Sequence, residues 1–189
     1  MTVMVEIPRD SKPRGAQNWT VADLEKLPDD GRRYELLDGR LLVSPAPTVK
    51  HQRAARGVFR VLDTTRPPGL EAVFAPVDWQ PERTTSFQPD VLVIRDVGPE
   101  AKNVTSGLVL AVEVLSPSTR HLDLGPKRAR YESAGVGSYW VVDPDEPSVR
   151  VWNLVDGHYQ VGGVAEGDQK LEVTTPFPVT LSPSALLRS

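Results

Sequence analysis

Eight residues, Leu108-Val109-Leu110-Ala111-Val112-Glu113-Val114-Leu115, constrain this chain more than any other segment. The run is apolar at odd and even positions alike, so a strand built from it must be covered on both faces. It reads as a central strand of a layered α/β or α+β domain. Its interruption, Glu113, costs several kcal/mol to bury unless it meets a cation, a metal or solvent at the strand end. The pattern alone leaves a strand end in water or a structural salt bridge open beside a functional site.

Elements on either side agree with a mixed sheet. Thr20 and Asp23 fit a short helix start. Tyr34–Leu37 and Arg40–Ser44 flank Asp38-Gly39, a hairpin signal. A helix is expected over 48–65, with His51, Ala55, Val58 and Leu62 on one stripe and Arg53, Arg56 and Arg60 opposite. Strands are expected over 72–80 and 89–94. A helix capped by Asp123 runs to Ala134 with Pro126 in its first turn. Strands follow over 138–143, 149–154 and 158–161, the last two turning on Asp156-Gly157, and one more over 170–175. At 189 residues this is one domain, 18–189, behind a flexible polar arm, 1–17. Its 18 prolines, roughly twice the usual share of about 5%, match many short elements joined by turns.

Composition removes several chemistries. With no cysteine there is no disulfide, thiolate nucleophile or cysteine-built metal site. A net charge of −3 argues against a broadly basic nucleic-acid coat but leaves room for a local basic face. There is no phosphate-binding P-loop, no Gly-x-Gly-x-x-Gly after a strand and no Gly-x-Ser-x-Gly elbow. No apolar run has the length of a signal peptide or a membrane span, so a cytoplasmic protein without membrane contact is expected.

Four residues draw attention. Asp90 opens the apolar run Val91–Ile94; such an Asp is commonly a turn cap, but beside Glu113 on a neighbouring strand, about 4.8 Å away, it can share a divalent cation. Lys127 is either a solvated helix lysine or an ammonium aimed back at the Glu113 strand end. Glu35 is either a hairpin surface acid or a further member of that site. His51 on the apolar stripe reads first as a half-buried donor, and the three arginines as a solvated face unless a polyanion docks there.

The runs Tyr34-Glu35-Leu36-Leu37-Asp38-Gly39, Ser44-Pro45-Ala46-Pro47, His51-Gln52 and Gln88-Pro89-Asp90 add up further. So do Glu113-Val114-Leu115-Ser116-Pro117-Ser118-Thr119, Asp123 to Tyr131 and Tyr139-Trp140-Val141-Val142-Asp143-Pro144. Together they resemble the Uma-two family of bacterial restriction-endonuclease-like proteins. The resemblance covers the chain from about Trp19 to its end. It implies the PD-(D/E)XK nuclease fold, a mixed central sheet flanked by helices with extra β-hairpins. It matches Asp90 to the Asp of the Pro-Asp motif, Glu113 to the second acid and Glu35 to an extra upstream acid. The motif asks for lysine where Leu115 stands, and the family places it on the next helix, at Lys127. Pro126 and Ser138 stand where members often carry Glu.

By that resemblance Glu35, Asp90, Glu113 and Lys127 are the expected catalytic set. Asp90, Glu113 and Glu35, with a carbonyl near Val114, are the expected ligands of Mg²⁺ or Mn²⁺. Supporting roles fall to His51, Gln52, Ser116 and Tyr131, and nucleic-acid contact to Arg53, Arg56 and Arg60. The implied activity is metal-assisted phosphodiester hydrolysis on nucleic acid, DNA first. A nuclease that cuts both strands commonly uses two sites, so a homodimer through strand edges or the hairpin around Trp152 and Tyr159 is expected. The competing reading is a catalytically silent domain of the same fold that binds nucleic acid or protein. A different phosphodiester or a carbohydrate substrate is a weaker third.

Overall fold

The computed structural model describes residues 18–95, 97, 98 and 100–188; the arm expected over 1–17 lies outside them. Helix α1 (Val21–Leu24) is a single turn begun by Thr20, whose N–H and hydroxyl both donate to Asp23 Oδ2 at 3.0 and 2.8 Å. Strands β1 (Arg33–Leu37) and β2 (Arg40–Ser44) form the expected hairpin. Asp38 and Gly39 take φ of 49° and 79°, the double left-handed turn that matches the twist of paired strands. Helix α2 (Val49–Thr65) begins at Thr48, whose hydroxyl accepts from His51 N. It buries Ala54, Ala55, Val58 and Leu62, and leaves Arg53, Arg56 and Arg60 exposed.

The segment expected as one strand over 72–80 is two. Strand β3 (Leu70–Phe74) lies in one sheet and β4 (Asp78–Glu82) in another, with Pro76 between them. Proline has no N–H to offer a ladder, so pairing stops there. Two short strands, β5 (Thr85–Phe87) and β7 (Asn103–Val104), bracket β6 (Val91–Arg95) and have too few residues to show a period. The apolar run forms β8 (Leu108–Val114).

The helix expected from an Asp123 cap starts earlier and is not regular. It runs as α3 (Arg120–Leu122), a π turn (Asp123–Lys127) and α4 (Arg128–Ser133). Asp123 has helical dihedrals, φ −68° and ψ −39°, and sits inside the stretch, so it is not the cap. Pro126 lies within the π turn and not in a first turn. In a regular α turn its ring would press on the carbonyl four residues back, and the wider turn makes room.

The chain ends in β9 (Ser138–Asp143), β10 (Ser148–Val155), β11 (His158–Glu166), β12 (Leu171–Val173), β13 (Val179–Leu181) and α5 (Pro183–Leu186). Strands β10 and β11 turn on Asp156-Gly157, as expected, and extend to Glu166. The six-stranded sheet has the order β11-β10-β9-β8-β6-β3; β8 and β9 are parallel and the other pairs antiparallel. The second sheet has the order β2-β1-β5-β4-β7. This is a mixed α+β architecture with β8 central, as its two apolar faces require.

The pleat sorts residues by parity. Val91, Val93, Leu110, Val112 and Val114 face α2 and α5. Leu92, Ile94, Ala111 and Leu115 face Tyr131, Tyr139 and the second sheet. Asp90 and Glu113 share the parity of this second group. Trp152, expected on an association surface, is buried against Tyr139 with ring centroids 5.8 Å apart, and the Tyr159 hydroxyl donates to the Val136 carbonyl. Exposed apolar side chains of that hairpin are Val155, Val161 and Val164.

Helices α2 and α5 meet at Gly57, where a Cβ would fall 2.2 Å from the Leu186 carbonyl oxygen. Gly57→Ala must push α5 off the core. The expected loss is about 1–3 kcal/mol, the usual range for overpacking, despite the better helix propensity of alanine. A thermal melt at or above the wild-type midpoint contradicts this packing.

Candidate active site

Strand pairing aligns the acids. Val91 pairs with Val112 across β6 and β8, and one step further Asp90 stands opposite Glu113. Asp90 Oδ2 accepts the Val114 N–H at 2.7 Å, which locks the carboxylate onto the end of β8. The chain leaves β8, runs through the Ser116–Thr119 turn and re-enters as the helical stretch that carries Lys127. The β1 hairpin brings Glu35 in from the second sheet, where Glu35 Oε1 accepts Gln88 N–H at 2.8 Å.

Lys127 is the meeting point. Its Nζ lies 3.0 Å from Glu35 Oε1, 3.3 Å from Glu113 Oε1 and 3.5 Å from Asp123 Oδ1. All four residues are only 2% exposed. Tyr131, stacked between Trp79 and Tyr139 at 4.8 and 5.0 Å, donates its hydroxyl to Glu113 Oε1 at 3.0 Å. Arg33 enters from the other side, with Nη1 3.1 Å from Asp90 Oδ1 and Nη2 3.4 Å from Glu35 Oε1. His51 Nε2 stands 3.3 Å from Asp90 Oδ2. The cluster forms the floor of a cleft of about 440 Å³ walled by Ser44–Thr48 and Leu115–Thr119.

The expected catalytic residues Glu35, Asp90, Glu113 and Lys127 therefore come together. Of the supporting set, His51 and Tyr131 touch the acids and Ser116 lines the cleft, its hydroxyl near those of Ser118 and Thr119. Gln52 is exposed and makes no side-chain contact with the acids. Arg53, Arg56 and Arg60 lie outside the cleft lining, on the solvent face of α2.

Two members escape the motif reading. Arg33 precedes Glu35 by two residues on one strand, a spacing that puts both on one face. Asp123 and Lys127 are spaced i,i+4, which faces them together on a helix. Both signals stand in the sequence.

Charge is unbalanced. Four buried carboxylates, Glu35, Asp90, Glu113 and Asp123, face two permanent cations, Arg33 and Lys127. Burial opposes every one of these charges. Lys127 and Arg33 nevertheless hold Glu35 below the ordinary carboxylate range, and His51 with Arg33 does the same for Asp90. Lys127 stays charged because Glu113, Glu35 and Asp123 outweigh its burial. The deficit falls on Glu113, which burial pushes up to about 8, with Asp123, Asp90 and Glu35 adding repulsion that Lys127 does not cancel.

Among the described residues no three acidic or histidine side chains converge in ligating geometry; they are turned onto Lys127, Arg33 and His51 instead. The donor set nonetheless suits a hard divalent cation. It is all oxygen, its four acids outnumber the two permanent cations so that Glu113 holds a proton a metal could replace, and the buried Asp123 Oδ1 has the Lys127 ion pair at 3.5 Å but no hydrogen bond.

A mixed sheet with two acids at the end of its central strands fits the restriction-endonuclease-like class of nuclease folds, with the lysine presented from the following helix in place of the position that Leu115 occupies. The Uma2 family model, described as "Putative restriction endonuclease", matches residues 21–187, and the chain belongs to that family. Among solved structures it is similar to a protein from Anabaena variabilis ATCC 29413 described as "a putative nuclease belonging to DUF820". That likeness has a TM-score of 0.69 at 21% identity and covers 89% of this chain and 97% of the other. No curated protein matches.

The pKa directions set a pH dependence. Glu113, raised when folded, keeps a proton that the unfolded chain releases near 4.5, so stability falls as pH climbs from there to about 8. Asp123 is also raised, chiefly by burial, and adds to the fall. His51 is raised by Asp90 against its burial, so its contribution is full below 6.5 and lost above. Glu35 and Asp90 are lowered, and their contributions change only at more acid pH. Metal-free wild type should melt lower at pH 8.5 than at pH 5.5, measured by calorimetry in chelator. Glu113→Gln should melt higher than wild type at pH 8.5 and converge with it near pH 5; equal slopes in both proteins contradict the assignment.

Proposed function

We propose that this chain is a metal-dependent endonuclease that hydrolyses phosphodiester bonds in nucleic acid, with DNA as its substrate. The observation that carries the reading is Asp90, just before β6, held by the Val114 N–H at the end of β8 beside Glu113, with the Lys127 ammonium 3.3 Å from Glu113. Membership of the Uma2 family supports nuclease chemistry in general. Asp90, Glu113 and Glu35, with the Val114 carbonyl, would hold Mg²⁺ or Mn²⁺. When bound, the ion supplies an acidified water and charge neutralisation at the phosphate.

The chain's own residues do the rest. Lys127 keeps its proton, orients the attacking water and offsets the charge that grows on the phosphate. Tyr131 fixes the Glu113 carboxylate through its hydroxyl. The Val114 N–H and His51 fix Asp90 Oδ2. The loops at Ser44–Thr48 and Ser116–Thr119 narrow the cleft and limit bulk water at its floor. Arg53, Arg56 and Arg60 meet backbone phosphates beyond the cleft. Two copies of the chain supply the two sites a double-strand cut requires, and the protein acts in the cytoplasm. Among the described residues no helix is long and apolar enough to cross a membrane.

Cleavage of plasmid and single-stranded DNA with Mg²⁺ or Mn²⁺ tests the reading directly. Wild type should cut and Glu113→Ala should not. Wild type that cuts neither substrate with either metal rejects the nuclease in favour of a binding module.

Lys127→Met should lower the single-turnover rate by roughly 10² or more, the scale of a lost charge stabiliser, and leave DNA affinity nearly unchanged. The triple arginine-to-alanine variant should do the reverse, losing about 0.9 from the salt slope for each phosphate contact removed. A Lys127→Met variant that cuts at the wild-type rate refutes the role given to the lysine.

Mn²⁺ should raise the melting temperature of wild type, because it binds the folded state alone. It should do so little or not at all in Asp90→Asn/Glu113→Gln, and an equal rise in both proteins moves the metal elsewhere.

A further inference from the structure

We propose that Arg33 is an exchangeable cation: its guanidinium closes the metal site on itself until a divalent ion enters, and then turns to the substrate phosphate. The proposal rests on the metal-dependent reading above and assigns a residue that reading leaves out.

One guanidinium reaches all three proposed metal ligands. Arg33 lies 3.1 Å from Asp90 Oδ1, 3.4 Å from Glu35 Oε1 and 4.0 Å from Glu113 Oε2. Lys127 holds the other oxygen of Glu113, Oε1. The two cations thus share the cluster: both reach Glu35 Oε1, they take different oxygens of Glu113, and of the two only Arg33 pairs with Asp90. An ion bound there at about 2.0–2.6 Å from its ligands needs the same oxygens, and its charge repels a guanidinium held against them.

The two cations differ in their freedom to leave. The Lys127 side chain is 3% exposed and enclosed by acids, whereas that of Arg33 is 23% exposed and lines the cleft. Arg33 sits at the open end of the β1–β2 hairpin, paired with Ser44, so its backbone is anchored while its long side chain borders open space. The present pose is also incomplete. Arg33 Nε is buried without a hydrogen-bond partner, and the 4.0 Å approach to Glu113 is too long for a hydrogen bond. A phosphate in the cleft can offer two oxygens of one group to the guanidinium, including the Nε edge that the carboxylates leave unpaired.

The test compares wild type, Arg33→Met and Arg33→Lys. Mn²⁺ affinity is measured by calorimetric titration, melting in chelator and in Mn²⁺, and binding of a fluorescent DNA oligonucleotide in Ca²⁺. Exchange predicts changes of opposite sign. Arg33→Met should melt below wild type in chelator, gain more from Mn²⁺, bind Mn²⁺ on the order of tenfold tighter and bind DNA several-fold more weakly. Arg33→Lys keeps the charge without the fork and should move each quantity the same way by less; if Arg33→Met does not fold without metal, Arg33→Lys decides. A purely structural arginine lowers both melts equally and leaves Mn²⁺ and DNA affinities unchanged, which overturns the proposal. If wild type itself gains nothing from Mn²⁺, the metal reading fails and this one with it. If wild type gains and Arg33→Met gains equally, this one fails alone.

Discussion

A buried ammonium shared by three carboxylates is the constraint from which the site follows. Lys127 takes Glu35 from the second sheet, Glu113 from the central strand and Asp123 from its own helical stretch. Remove its charge and Asp123 loses its ion pair, while Glu35, Asp90 and Glu113 are left to Arg33 and His51. Buried ion clusters are weak stabilisers, and a well-packed apolar group of the same volume would serve the fold as well. What the cluster provides is alignment: it pins two sheets and a helix to one point.

The route by which lysine reaches that point explains the irregular helix. Two residues past Glu113, on the same face, stands Leu115, which packs into the apolar cluster with Val136 and Tyr139. Positive charge has to arrive from the opposite wall. The π turn over Asp123–Lys127 accommodates Pro126 and delivers both Asp123 and Lys127 to the buried side.

Much of this was legible in the chain, and the parts that were not have a common cause. The Asp38-Gly39 hairpin, the apolar stripe of α2 and the two-faced run of β8 are local patterns, and each folds as its pattern demands. Glu113 stood out because a charge in such a run needs a reason. The 72–80 segment misleads because β propensity continues on both sides of Pro76 while the ladder does not. Asp123 carries the same local signature as a helix cap, and only the packing of β8 against the helical stretch distinguishes the two. Arg33 was within reach through its spacing to Glu35, yet its partner Asp90 lies 57 residues away, a distance no local period encodes.

The Lys127–Glu35 bond spans 92 residues of chain. The acids and the lysine sit on four separate stretches of polypeptide, and none of those stretches holds the geometry by itself. While the chain is being synthesised, β1 emerges long before the helical stretch that neutralises Glu35. A fragment ending at β8 has Glu35, Asp90 and Glu113 with Arg33 and His51, but it lacks Lys127, the cation that joins Glu35 to Glu113. Whatever chemistry the cluster performs is therefore withheld until the last of these parts has docked, and any proteolytic nick between β1 and α4 that lets them separate abolishes it at once.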